Sequence, residues 1–218
     1  MGIRSSEVQI PIGSIDLEGS LDIPEGAKGV VIFVHGSGSS RHSPRNQYVA
    51  KELQKEGLGT LLFDLLTVQE EKIDILTREL RFDIDLLSKR LISITNWVLN
   101  HPETKGLNLG YFGASTGAAA ALIAAKMHSD TIKAVVSRGG RPDLAESSLI
   151  YVKAPTLLIV GGKDTQVIKL NEWALDRMNT PEKELKIVPG ATHLFEEKGT
   201  LEEVARLAGE WFKRYLLE

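Results

Sequence analysis

Residues 107–127 read LNLGYFGASTGAAAALIAAKM, and the reading of this stretch decides the fold. Leu107–Phe112 is an apolar run with the length of a buried strand. Ser115–Met127 is a helical stretch built mostly from small residues. Between them lies Gly113-Ala114-Ser115-Thr116-Gly117, a G-x-S-x-G pentapeptide at a strand-to-helix joint. With 20 glycines in 218 residues, this pattern arises by chance in roughly one chain of this length in eight. Its meaning therefore rests on what surrounds it.

Working outward, apolar β-branched runs alternate with helical patterns, with no internal repeat. Val8–Ile12 and Ser14–Leu21 alternate apolar and polar residues, as a half-exposed antiparallel hairpin does. Gly29–Val34 (GVVIFV) is continuously apolar, the mark of a strand covered on both faces. Thr60–Phe63, Ala134–Ser137, Thr156–Val160 and Leu185–Val188 read as further strands. Helices are predicted over Pro44–Glu56, Glu79–Leu99, Val167–Arg177 and Leu201–Leu216, the first with Ser43 as N-cap and Pro44 in its first turn. The alternation predicts an α/β fold: a mostly parallel sheet, helices on both faces and an antiparallel N-terminal edge. Residues 1–218 suit a single domain.

Composition narrows the chemistry. The chain is 42% hydrophobic and 25% charged, with a formal charge of −3, so it lacks the basic footprint expected of a nucleic-acid or anionic-membrane binder. It has no cysteine, which removes disulfides, thiolate metal sites and a cysteine nucleophile together. The opening MGIRSSEVQIPIG has no signal-peptide core, and no later run approaches a membrane span, so a cytoplasmic location is expected.

Ligands of such sheets gather at the carboxyl ends of the strands. The residues following the predicted strands are His35-Gly36-Ser37, Asp64, Ser115, Arg138, Asp164 and His193. A serine hydroxyl needs a base to become a nucleophile, and a histidine base needs a carboxylate to fix its tautomer. Ser115 stands where Gly113 and Gly117 leave room for a tight turn and where a helix N-terminus faces the site. The plainer reading is a glycine turn whose serine caps the helix. Asp164, in IVGGKDTQV, is the candidate acid, with an N-cap as its structural alternative. Asp143 is the rival acid, and Asp64 has a structural role. His193, in VPGATHLF, is the candidate base; His35 and His42 precede the serine, while His101 and His128 sit near helix ends. For a developing oxyanion, the backbone N–H of Thr116 and that of Ser37, in HGSGSS, are the candidate donors. Two basic clusters, 41–45 (RHSPR) and 138–141 (RGGR), lie on the same side. Arg41 and Arg138 are their candidates for binding a substrate carboxylate or phosphate, against a reading as surface ion pairs.

Taken together, VIFVHGSG, GYFGASTG, LLIVGGKDTQV and GATHLF resemble the α/β-hydrolases and, within them, the dienelactone hydrolase group, over nearly the whole chain. The resemblance implies about eight strands and a Ser115–Asp164–His193 triad, in the chain order those enzymes use. Dienelactone hydrolases proper carry a cysteine nucleophile; with no cysteine here, a serine esterase is the expectation. The short segment between the Ala134 and Thr156 strands leaves no room for a large cap, so an open site for small or accessible esters is expected. No metal or organic cofactor is required, and the expected partner is a small-molecule ester. The alternatives are a lactone, thioester or amide substrate on the same triad, or a catalytically idle fold acting as a binding module.

Overall fold

A computed structural model describes residues 2–217. Eight strands form one sheet in the order β1-β2-β4-β3-β5-β6-β7-β8. β1 (Ile3–Ile12) and β2 (Ile15–Pro24) make the antiparallel hairpin, joined antiparallel to β4 (Gly59–Phe63). β3 (Gly29–Val34), β5 (Asn108–Ala114), β6 (Ile132–Arg138), β7 (Thr156–Gly161) and β8 (Lys183–Val188) continue in parallel. Every residue of β3, β4 and β7 is buried, as strands covered on both faces require. β8, at the edge, carries Lys183, Glu184 and Lys186, charges that discourage pairing with another chain.

Helices cover both faces. α1 (Pro44–Lys55) and α7 (Thr200–Leu216) pack on one side, where Val49, Leu53, Val204 and Phe212 join Phe33, Phe112 and Val136. α3 (Ile84–Asn100) and α4 (Thr116–Met127) cover the other through Leu91, Ile94, Ala120 and Ala124. Ser43 caps α1 by accepting the N–H of Asn46, as its sequence predicts. α6 (Thr165–Arg177) follows β7. No large cap is present: between β6 and β7 lie only a short 3-10 turn and α5 (Glu146–Leu149).

The structure departs from sequence expectation after β4. The stretch 64–83 holds α2 (Val68–Thr77) and a 3-10 turn at Leu80–Phe82, and α3 starts only at Ile84, not Glu79. The reason lies in the caps. Thr67 and Glu70 form a reciprocal capping box that starts α2, and Asp83 accepts the N–H of Leu86 to start α3. Buried Arg90 ties α2 to α3, donating to Glu70 and to the carbonyl of Leu65.

Strand order directs attention to one crevice. From β3 the chain moves outward to β4, then crosses back to β5 on the other side of β3. β3 and β5 thus flank the point where the sheet reverses direction, the place where open α/β sheets bind ligands. At the opposite edge, Leu216 near the end of α7 packs against Gly29 and accepts a hydrogen bond from Asn108, while the start of β1 pairs with Pro24.

The joint between β5 and α4 sets the steric limits. A β-carbon on Gly117 would stand 2.2 Å from the carbonyl oxygen of Val34, and one on Gly113 would stand 2.5 Å from the α-carbon of Ala118. Gly117→Ala should therefore lower stability by ~3 kcal/mol or more, since the obstacle is backbone. Gly209→Ala in α7, where the added carbon meets only Leu53 at 3.8 Å, should raise it by ~0.5–1 kcal/mol. Urea denaturation of the two variants checks both signs.

Candidate active site

Ser115 is the residue between β5 and α4, with φ 50° and ψ −122°. A non-glycine residue in that region costs about 1–3 kcal/mol and persists only where its surroundings hold it. The holding bonds are visible. The N–H of Ser115 donates to the carbonyl of Arg138 at 3.2 Å, and its own carbonyl accepts from Arg141 at 3.0 Å and Ala118 at 3.1 Å. The side chain does not cap α4, so the plain helix-cap reading fails. Ser115 is instead half-buried and borders the loop after β3 at Gly36.

Asp164 stands in the N-cap position of α6, yet its carboxylate does not cap that helix either. Its Oδ2 lies 2.6 Å from His193 Nδ1, across the ends of neighbouring strands β7 and β8. The Asp164 side chain is only 15% exposed, while that of His193 is 39% exposed. The loop bearing His193 is anchored two residues later by Phe195, buried in the α1/α7 core with φ 54°. Gly139 closes the arrangement: a β-carbon there would lie 3.2 Å from the His193 carbonyl and 3.4 Å from its ring. Since Gly139 directly follows Arg138, the partner of the Ser115 N–H, serine and imidazole flank the same short segment.

The other candidates are accounted for. Asp143 is held by Arg141 through a fork of hydrogen bonds at 2.8 and 2.7 Å, which leaves it no histidine. The N–H of Ser37, one of the two expected oxyanion donors, donates to the side-chain hydroxyl of Thr116 at 2.9 Å. The backbone N–H of Thr116 is one of the first-turn donors that a helix leaves without an internal partner. Arg41 does not fit its expected role: its guanidinium meets Glu18 at 2.7 Å, Glu7 at 3.6 Å and Asp64, whose other oxygen takes the Arg41 N–H. Three carboxylates offset its charge, and it braces the β1–β2 hairpin against the end of β4. Arg138, in contrast, is buried at the end of β6. Among the described residues, no group of three or more metal-ligating side chains comes together.

His35, which precedes the serine in the chain, has both ring nitrogens engaged. The N–H of Leu65 donates to its Nε2 at 3.0 Å, so the proton sits on Nδ1, 2.9 Å from the Gly36 carbonyl. The ring thus fastens the glycine loop after β3 to the end of β4. Beneath that loop is a cavity of about 30 Å³ lined by Gly36, Leu65, Leu87, Asp74 and Arg81. Gly36 also borders Ser115, whose β-carbon would lie 3.1 Å from one added at Gly36.

A model of the dienelactone hydrolase family matches residues 17–216. The chain belongs to the dienelactone hydrolase family. A crystal structure of a dienelactone hydrolase from Anabaena variabilis is 58% identical and superimposes with a TM-score of 0.96, covering 98% of this chain and 99% of that one. Est1E from Butyrivibrio proteoclasticus has a TM-score of 0.81 at 16% identity, covering 96% and 98% of the two chains, a likeness of fold. In two strains of Mycobacterium tuberculosis, a protein provisionally named a phosphoribosyl transferase is 55% identical over 215 residues, 98% of this chain but 47% of its own length. The chain thus spans about half the length of the curated relatives it matches. Within the dienelactone hydrolase family, this chain is an α/β-hydrolase fold with Ser115 at the G-x-S-x-G turn.

Burial lowers the pKa of His35, against smaller opposing contributions from Gly36 and Asp64. The unfolded chain therefore takes up a proton near pH ~6.5 that the folded state refuses, so this contribution to stability is present above that pH and lost as the pH falls. Urea midpoints measured from pH 7.5 to 5 should fall, and His35→Asn should flatten the slope while lowering stability at pH 7.5.

Proposed function

We propose that the protein is a serine hydrolase that cleaves small carboxylic esters through an acyl-enzyme. The observation that carries this reading is the backbone of Ser115, strained at φ 50° and ψ −122° by its surroundings while its side chain caps nothing. Strain of this kind at a nucleophile's position is the mark of a hydroxyl held out for reaction.

In this reading Ser115 Oγ attacks the ester carbonyl and His193 Nε2 takes its proton. Asp164, bonded to Nδ1, holds the ring in that tautomer and stabilises the imidazolium as it forms. The tetrahedral oxyanion receives the Thr116 N–H at the positive end of α4 and, once the Thr116 hydroxyl yields it, the Ser37 N–H. Collapse expels the alcohol, which takes the proton from His193. A water activated by the same imidazole then attacks the acyl-enzyme, and Ser115 leaves with the proton returned. The absence of a large cap between β6 and β7 supports small or accessible esters. The transferase name of the M. tuberculosis relatives supports no second reading, because more than half of each relative lies outside the match.

A fluorophosphonate probe should label the wild type and fail to label Ser115→Ala; equal labelling of both removes Ser115 as nucleophile. In a p-nitrophenyl ester assay, Asp164→Asn should lower kcat by about 10³–10⁴-fold, with Asp143→Asn changing it little. Acetate and butyrate esters should outpace longer chains.

A further inference from the structure

Most buried threonines of this protein place their hydroxyl proton on a main-chain carbonyl. Thr95, Thr104, Thr156, Thr180 and Thr200 each donate in this way. Thr60, near the start of β4, accepts from Gln54 instead. Thr116 also accepts, and it does so beside the nucleophile turn. It is the first residue of α4 and only 4% exposed. Its Oγ1 takes the Ser37 N–H at 2.9 Å, and its own proton goes to no acceptor among the described residues. A threonine within a helix can turn that proton back onto the carbonyl four residues earlier, as Thr95 does onto Leu91. Thr116 has no helical turn before it, so that outlet is closed.

Its place gives the free proton a use. One residue back on each segment, a β-carbon built on Gly36 would lie 3.1 Å from that of Ser115. The two contacts run side by side, Gly36 against Ser115 and Ser37 against Thr116. An N–H bond is directional, so an oxygen that accepts from Ser37 must stand close to where Thr116 Oγ1 now stands. The resting protein thus fills that position with a hydroxyl of its own. A hydroxyl suits the task because it accepts through its lone pairs, donates through its O–H and rotates between the two. A side chain without that oxygen would leave the Ser37 N–H without its partner.

We propose that Thr116 is a further catalytic residue, whose hydroxyl accepts the Ser37 N–H in the resting protein and donates to the oxyanion once the substrate oxygen has taken that N–H. The proposal rests on the Ser115 reading. Thr116 transfers no proton and forms no covalent bond. It adds a third donor to the two backbone N–H groups, and the only one of the three that a side-chain substitution can remove. A hydroxyl binds a charged oxygen more strongly than a neutral carbonyl, so its effect falls on the transition state and hence on kcat.

Hydrolysis of p-nitrophenyl acetate by the intact chain tests the role. Thr116→Val keeps the branched shape and removes the hydroxyl; kcat should fall by about 10²-fold, with KM changed by less than about threefold. Thr116→Ser restores the hydroxyl and should recover most of that loss. A trifluoromethyl ketone forms a hemiketal with Ser115 that carries the same oxyanion, so its inhibition should weaken in Thr116→Val by about the factor lost in kcat/KM. Thr116→Ala removes the hydroxyl without adding a methyl group to the contact, and should lose as much as Thr116→Val even if valine disturbs folding. A kcat within about threefold of wild type in either variant, a loss carried by KM, or a Thr116→Ser as impaired as Thr116→Val each overturns the role. Fluorophosphonate labelling separates the two readings. An unlabelled wild type removes both, whereas a labelled wild type with normal turnover in Thr116→Val removes this one alone.

Discussion

Where α4 leaves β5, it crosses the end of β3 with backbone against backbone. Gly117 lies so close to the Val34 carbonyl that no side chain fits between them, and the neighbouring bonds from Arg138, Arg141 and Ala118 allow Ser115 one conformation. The rest of the site follows from that contact. It brings the first turn of α4 beside the glycine loop after β3, which is why Ser37 and Thr116, far apart in sequence, share a hydrogen bond. It also brings the end of β6 under the serine, and with it Gly139, whose lack of a side chain admits His193.

The chemistry of the site is distributed along one edge of the sheet with a consistent division of labour. Charges that brace the scaffold are matched: Arg41 with Asp64 and Glu18, Arg81 with Asp74, Arg90 with Glu70. Groups near the crevice are left with capacity to spare. His193 keeps one ring nitrogen uncommitted by Asp164, Thr116 offers a first-turn N–H, and Arg138 has no counter-ion.

Much of this was legible in the sequence because it is local. Alternation and apolar runs located the strands, Ser43 and Pro44 located the start of α1, and the order of Ser115, Asp164 and His193 placed them at the ends of β5, β7 and β8. What escaped was of two kinds. α2 and the start of α3 carry local signals, the Thr67–Glu70 capping box and the Asp83 cap, but an apolar periodicity running back to Leu80 masked them. The fate of Arg41 has no local signal at all. Its three carboxylates come from β1, β2 and the end of β4, and only the folded sheet brings those segments together. Arg138 and Arg41 look alike in sequence, each within a short basic cluster, and tertiary pairing separates them.

The sheet also has an idle edge. Near it the start of β1 pairs with Pro24, and the end of α7 packs against Gly29 and Asn108, while every candidate catalytic group stands on the other edge. The polarity of the parallel strands thus keeps the packing of α7 against the sheet apart from the crevice, so a change in one need not disturb the other.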